Sequence, residues 1–474
     1  MIQFFAGSIA NPKMKQLSAD KVAFCCSALT TPDGNLYWPA ADPKPHSSAK
    51  VYTSLFARHW DTWTSENQNS LWYGLLTKAN GHWTLEPPGL INLLQGTRLS
   101  SPIPPFGGTG DFDLTNLGIA FVAKDPELNP ARYTKSDLYF VPLSSYTEKP
   151  TQPQIVKTGE LRGYSTSPTF SKDGKRLAFA RMKSEQYESD KPRLLVIPDV
   201  TDLSNVQEFY KTDDGKGGWS LRPDTIEWSH NDEELFVTAE SEGRNRLWRL
   251  PSSPAKATSP PNEIHIDGSV IEFKRLGSSK SLLISARSLV ESSFYSIFDT
   301  EGNTTDEISS SLKHGKTVGL NRSQCSEIRW EGAAGYPIHA LVMFPSSFDD
   351  KKKYPLAMLI HGGPQSAWSD DWSTRWNPAI FAEQGYVVVC PNPTGSTGYG
   401  QDHIDAIAQN WGGAPYEDLV KGFEFIKNHV EYVDTERAVA LGGSYGGYMI
   451  SESARNFCTM AKPSNPLFRL DPGT

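Results

Sequence analysis

A short apolar strand that runs directly into a glycine-rich turn constrains this chain more than any other feature. Residues 437–441 form an apolar run typical of a buried parallel strand, and the sequence GGSYGG follows at 442–447. Glycines on both sides of Ser444 remove the Cβ atoms that would clash in a sharp turn. The sequence therefore predicts a strand–turn–helix unit that exposes the hydroxyl of Ser444 above a sheet.

The G-x-S-x-G pattern at 442–446 is the arrangement in which a serine acts as a nucleophile. The backbone amide of the next residue, Tyr445, then points to where an oxyanion would form. Because glycine and serine are common, roughly one chain in ten of this length contains the pattern by chance. A glycine-rich corner with an unreactive serine is therefore the alternative interpretation of the motif alone.

A second motif precedes the first by about 80 residues. An apolar run at 354–360 enters His361-Gly362-Gly363-Pro364, which resembles the HGG-type loop that supplies a second oxyanion donor. Further strand and helix patterns follow at 385–390 and 416–426, with a loop composition at 392–400. Strands that alternate with helices predict a mostly parallel sheet. Segments 326–344 and 354–450 thus indicate the first half of an α/β-hydrolase domain.

The first 315 residues show a repeated unit of a tight turn and a strand. Aromatic residues mark four copies at Phe112, Phe170, Trp228 and Phe273, with spacings of 58, 58 and 45 residues. Repeats of this length that contain several strands predict the blades of a β-propeller. A β-sandwich with coincidental similarities is the alternative. Four clear units, with one or two weaker ones in 1–100, predict an incomplete propeller.

Composition excludes several other classes. A net charge of −8 argues against a general nucleic-acid surface, and no apolar run approaches the roughly 18 residues of a membrane span. The five cysteines fit no metal motif, and we predict neither a metal nor a cofactor. Residues 1–10 lack the basic start of a signal peptide, so the sequence alone leaves the compartment open.

Several motifs together resemble the prolyl oligopeptidase family of serine peptidases, in particular its fungal dipeptidyl-peptidase V group and the acylaminoacyl-peptidase relatives. The resemblance covers roughly 14–450. The motifs that carry it are Arg58-His59-Trp60-Asp61, Pro105-Phe106-Gly107-Gly108, the Ser167-Pro168…Asp173-Gly174 repeat, His361-Gly362-Gly363-Pro364, 392–400, Trp411-Gly412-Gly413, Tyr416-Glu417-Asp418-Leu419 and 443–448.

The resemblance implies a function and a set of roles. Ser444 is expected to be the nucleophile, and the amides of Tyr445 and Gly363 are expected to form the oxyanion hole. Short peptides are the expected substrates, with dipeptides released from the N-terminus through an acyl-enzyme. The propeller is expected to exclude folded proteins, and family members are secreted. The expected domains are the propeller at 1–315, the α/β-hydrolase half at 316–450 and an unrelated disordered tail at 451–474.

Two departures from the family lead to a further expectation. The first blades are expected to be missing, and the resemblance stops after residue 450, before the triad Asp and His. No histidine follows Ser444, since the last one is His429. We therefore expect a chain truncated at both ends and inactive by itself. A non-catalytic propeller that binds peptides and, less favoured, a lipase or esterase stay open, as do oligomeric state, dipeptidyl versus acylaminoacyl action and the preferred substrate residue.

Overall fold

A computed structural model describes residues 7–41, 47–53, 55–277 and 279–460, without the side chains of 41 and 454–460. The chain divides into two compact units. One contains 1–218, 223–237 and 250–260, and the other contains 219–222, 238–249 and 261–474. Part of the stretch that we considered for a signal peptide, 1–6, lies outside the described residues.

Five antiparallel sheets follow one another along the first two thirds of the chain. The first comprises β1 (Ile9–Ser18), β2 (Lys21–Thr30), β5 (Gln68–Ala79), β6 (His82–Leu85) and β7 (Ile91–Asn92), with a separate hairpin of β3 (Arg58–His59) and β4 (Thr62–Trp63). The second comprises β8 (Phe112–Thr115), β9 (Gly118–Lys124), β10 (Ser136–Pro142) and β11 (Gln154–Ile155). The third comprises β12 (Ser165–Phe170), β13 (Leu177–Arg181), β14 (Arg193–Ile197) and β15 (Gln207–Glu208).

The fourth and fifth sheets complete this series. The fourth comprises β16 (Pro223–Trp228), β17 (Glu234–Glu240), β18 (Asn245–Pro251) and β19 (Asn262–Ile264), and the fifth comprises β20 (Ser269–Arg275), β21 (Ser281–Ser288), β22 (Glu291–Asp299) and β23 (Thr304–Ser310). Short 3-10 helices lie at Pro39–Ala41, Thr109–Asp111, Pro254–Lys256, Lys316–Val318 and Arg322–Gln324. Each sheet follows the chain order of its strands, except that β6 and β7 both pair with β5 in the first sheet, so the five are blades of a β-propeller.

The repeat found in the sequence corresponds to the first strand of successive blades. Phe112, Phe170, Trp228 and Phe273 lie on β8, β12, β16 and β20, and all four side chains are buried. Neighbouring blades are joined at these strands, because the Phe170 amide donates to Asp113 Oδ2 at 2.8 Å and Trp228 Nε1 donates to the Thr169 carbonyl at 2.8 Å. The aromatic spacing therefore marked a real structural period, and the prediction of a propeller is confirmed.

A sheet of five strands with four helices follows the blades. Its order is β24 (Cys325–Glu331), β25 (Pro337–Met343), β27 (Val387–Asn392), β26 (Tyr354–Ile360) and β28 (Val433–Gly442). The helices are α1 (Pro378–Ala382), α2 (Gln401–Asp405), α3 (Ala414–His429) and α4 (Tyr445–Met460). β26 pairs in parallel with β27 and β28, whereas β24 and β25 are antiparallel. This is the first part of an α/β-hydrolase sheet, as predicted.

Two sequence-based expectations concern the end of the chain and membranes. Helix α4 continues through 451–460, where we expected the disordered tail to begin, and 461–474 lies outside the described residues. The domain boundaries themselves stay predictions. Within the part of the chain that the structure describes, no helix is both long and apolar enough to cross a lipid bilayer.

Candidate active site

Ser444 lies between β28 and α4, at the turn that the sequence predicted. Its φ is +56°, a left-handed conformation that a residue with a Cβ atom rarely adopts. At the glycines around it, neighbouring backbone atoms leave no space for a side chain. A Cβ atom on Gly442 would lie 2.5 Å from the Gly446 carbonyl carbon, and one on Gly446 would lie 2.2 Å from the Ile360 carbonyl oxygen. Close backbone contact thus produces the strained turn that presents Ser444.

The HGG loop lies directly beside the serine. A Cβ atom on Gly362 would lie 3.4 Å from Ser444 Cβ and 3.9 Å from its Oγ. Gly363 has a φ of +122°, in the region that favours glycine. The structure therefore brings this loop and Ser444 together, as the two motifs predicted, and the absence of side chains lets a substrate carbonyl approach both.

Tyr445 begins α4, and its side chain fixes the start of that helix. The phenol donates to the Trp411 carbonyl at 2.7 Å, the two rings meet edge to face at 5.8 Å, and Tyr445 is buried. Burial raises the pKa of this phenol, so it stays a neutral donor. The first amides of a helix have no intrahelical acceptor. The Tyr445 amide is thus a donor at the positive end of α4, next to Ser444.

His361 belongs to the loop but is not placed as a free base. Its side chain is buried, Nδ1 donates to the Gly362 carbonyl at 2.6 Å, and Nε2 lies 3.0 Å from Ser396 Oγ. Burial lowers its pKa to about 4, so the ring is neutral at pH 7. The Gly362 carbonyl and the Gly363 amide belong to one planar peptide unit. The imidazole consequently fixes the direction of the predicted oxyanion donor on Gly363.

The remaining histidines near the end of the sequence have other surroundings. His403 is buried, and its Nδ1 lies 3.1 Å from the Ser396 carbonyl oxygen. His429 is exposed at the end of α3, where its ring lies 5.0 Å from that of Phe425. The arrangement therefore combines a serine and two candidate amide donors, which can hold a tetrahedral oxyanion, with a histidine that orients a peptide unit.

The side chain of Asp418 connects two loops near the candidate site to helix α3. It is fully buried on α3, where its Oδ1 accepts from the Ala333 amide at 2.6 Å and its Oδ2 from the Thr394 amide at 2.8 Å. Its backbone carbonyl accepts from Trp330 Nε1 at 2.9 Å. The loop that holds Ser396, and hence His361, is therefore anchored to α3. Sequence analysis missed this role, because an acidic residue within a helical pattern gives no sign of a buried carboxylate.

Trp376 is the second residue that the sequence did not reveal. A Cβ atom on Gly443 would lie 3.4 Å from two carbons of its indole, yet 51% of Trp376 is exposed. The residue precedes α1, whose N-cap is Asn377. The Trp-Asn-Pro sequence at 376–378 predicts such a helix start, but nothing in it indicates contact with a turn almost 70 residues later.

Comparisons with known proteins agree with this architecture. The sequence model of the family described as "Prolyl oligopeptidase family" matches 372–457. A "Probable dipeptidyl-peptidase 5" of Arthroderma benhamiae is 41% identical over 443 residues, and a "Dipeptidyl-peptidase 5" of Trichophyton schoenleinii is 40% identical over 443 residues. Both alignments cover 92% of this chain and 59% of the relative. The chain thus spans about three fifths of the length of these relatives.

Solved structures show the same fold at low identity. The uncomplexed acylaminoacyl peptidase of Pyrococcus horikoshii is similar, with a TM-score of 0.64 at 14% identity over 92% of this chain and 59% of that one. A puromycin-hydrolysing peptidase of Mycobacterium tuberculosis has a TM-score of 0.57 at 16% identity over 94% of this chain and 59% of that one. These matches confirm the combination of propeller blades and an α/β-hydrolase sheet.

Proposed function

Because the chain belongs to the prolyl oligopeptidase family, we propose that it provides the nucleophile and oxyanion hole of a serine exopeptidase that releases dipeptides from the N-terminus of oligopeptides. Ser444 Oγ gives up its proton to a base and attacks the carbonyl carbon of the second residue, and the oxyanion is held by the amides of Tyr445 and Gly363. Collapse of this intermediate breaks the peptide bond, and the shortened peptide leaves as an amine that takes up a proton. Water then hydrolyses the Ser444 ester and releases the dipeptide.

The observation that carries the proposal is the strained conformation of Ser444 beside Gly362. Backbone strain of this kind persists only where the surrounding structure enforces it, and here it presents a hydroxyl against two candidate amide donors. Relatives described as dipeptidyl-peptidase 5 support the peptide substrate and the dipeptide product.

We further propose that the 474 residues alone do not turn over peptides efficiently. A serine hydroxyl needs an adjacent base, no histidine follows Ser444 in the sequence, and His361 is buried with both ring nitrogens engaged. The oxyanion donors without a base would leave only a residual rate.

Two measurements on the 474-residue chain test these proposals. A fluorophosphonate probe should label the chain, slowly, and Ser444→Ala should abolish the label. Hydrolysis of a dipeptidyl p-nitroanilide should match that of Ser444→Ala in buffer, and added imidazole should raise it only when Ser444 is present, because imidazole can replace a missing base. Ser451→Ala, a change of an exposed serine on α4, is the matched control.

The possible outcomes separate the alternatives. Efficient imidazole-independent turnover that Ser444→Ala abolishes would disprove the proposed inactivity. Peptide binding without any labelling would favour a non-catalytic binding module. Hydrolysis of acyl esters without peptide cleavage would favour an esterase.

A further inference from the structure

A tryptophan ring covers the side of the nucleophile turn that faces Gly443. Two indole carbons of Trp376 lie 3.4 Å from the position of a Cβ atom on Gly443, which is bonded to Ser444. Consecutive Cα atoms are about 3.8 Å apart. The indole therefore lies beside the residue that directly precedes the proposed nucleophile. Half of Trp376 stays exposed. Part of a large apolar ring is therefore available to a ligand at this point, because packing within the protein covers only about half of the residue.

The backbone that carries Trp376 is held before any ligand arrives. The Trp376 amide donates to Ser373 Oγ at 2.9 Å, and Asn377 Oδ1 accepts from the Ala379 amide at 2.9 Å. The following helix is fixed in the core through Pro378, Ala379 and Ala382, which are buried. A ring on such a backbone loses little conformational freedom on binding, and preorganisation of this kind favours affinity.

The same segment also places a positive charge beside the ring. The Arg375 guanidinium lies 5.3 Å from the centroid of the Trp376 ring, and Arg375 is exposed. The guanidinium is permanently charged. A cationic side chain that approached the indole would meet this charge, whereas a neutral flat side chain would gain contact area and aromatic stacking.

We propose that Trp376 determines specificity for the substrate residue whose carbonyl carbon Ser444 attacks. This inference rests on the proposed function. The side chain of that residue starts two bonds from the attacked carbonyl carbon, so it lies near the turn that the indole covers. The ring favours apolar and above all aromatic side chains at this position, and Arg375 disfavours lysine. Trp376 thus selects the substrate by contact and takes no part in bond making or breaking.

Binding of dipeptides tests the proposal without any need for turnover. Titration calorimetry of the 474-residue chain with Ala-Phe, Ala-Ala and Ala-Lys should give the tightest binding for Ala-Phe, about tenfold tighter than Ala-Ala, and the weakest for Ala-Lys. Trp376→Ala should reduce the Ala-Phe advantage to within about twofold, and Trp376→Phe should keep most of it. Arg375→Gln should improve Ala-Lys binding selectively. Trp83→Ala, a change of another exposed tryptophan, is the control and should leave all ratios unchanged.

The results that overturn the proposal are distinct from failure of the proposed function. An unchanged Ala-Phe to Ala-Ala ratio in Trp376→Ala, with an unchanged thermal unfolding midpoint, would refute the role of the ring. A wild-type chain that binds none of the three dipeptides, or prefers Ala-Lys, would refute it as well. Labelling of Ser444 by the fluorophosphonate probe is measured separately, so the role of Ser444 as nucleophile can be supported even when the specificity proposal is refuted.

Discussion

Replacement of Asp418 by alanine should destabilise the α/β-hydrolase unit more than any comparable change on helix α3. The carboxylate is fully buried and accepts from the amides of Ala333 and Thr394 at 2.6 and 2.8 Å. Alanine would leave both donors without their acceptor. An unpaired buried polar group costs about 1–3 kcal/mol, and Thr394 is 1% exposed while Ala333 is only partly buried. The expected loss in the free energy of unfolding is therefore about 3 kcal/mol.

The assay is urea-induced unfolding followed by tryptophan fluorescence and circular dichroism. Since the chain has two compact units, the quantity to compare is the unfolding free energy of the transition that the mutation shifts, obtained from its midpoint and slope. Asp418→Asn keeps one acceptor oxygen and should lose about half as much. Glu424→Ala, an exposed position on the same helix, is the matched control and should stay within about 0.5 kcal/mol of the wild type. A loss in Asp418→Ala below about 1 kcal/mol would refute the reasoning that this carboxylate anchors the two loops.

Three further predictions concern the turn, the loop histidine and the sheet edge. Gly446→Ala should cost more than about 3 kcal/mol in unfolding free energy, because its Cβ would lie 2.2 Å from the Ile360 carbonyl oxygen. Gly447→Ala is the control and should be tolerated, because the closest contact of its Cβ would be 3.5 Å. Equal stabilities of the two variants would contradict the predicted clash. Burial lowers the pKa of His361 to about 4, so the unfolded chain binds the proton more tightly than the folded chain. The free energy of unfolding should therefore fall as pH drops from about 6.5 to 4, by about 2–3 kcal/mol at pH 4.5. His361→Asn should remove this part of the pH dependence, and an unchanged dependence would argue against a buried neutral ring. Among the described residues, β28 is an outer strand of its sheet, and 41% of Val439 is exposed. Val439→Lys should therefore slow aggregation measured by light scattering. An unchanged rate would show that another surface causes the aggregation.

The sequence predicted local elements well where a single period determines them. The apolar run at 354–360 coincides with strand β26, and the aromatic repeat fell on the first strands of four blades. The predicted strand at 437–441 begins four residues late, because β28 starts at Val433 and its pairing with β26 has an irregularity after Pro355. A period cannot reveal such a shift, since Val433 and Asp434 pair with β26 through the backbone and the register then jumps to Ala438.

The residues that sequence analysis missed depend on contacts between distant parts of the chain. Asp418 meets the Ala333 amide across 85 positions, and Trp376 meets Gly443 across 67. Neither partner bears a chemical signature, because one is a backbone donor and the other a glycine. Tertiary hydrogen bonds to main-chain amides are invisible to pattern analysis for this reason, whereas motifs such as the one around Ser444 carry their own steric requirement.

The register of two neighbouring strands explains why the candidate site assembles at all. Ile360 at the end of β26 is paired in parallel with Gly442 at the end of β28, so the HGG loop and the Ser444 turn leave the sheet at the same edge, side by side. Parallel strands direct their carboxyl ends to one edge, where loops form binding sites. The proposed nucleophile and the proposed oxyanion donors therefore assemble within 354–446, whatever supplies the base. A defect in the base and a defect in the turn are consequently separable: the first should respond to imidazole, whereas the second, as in Gly446→Ala, should not.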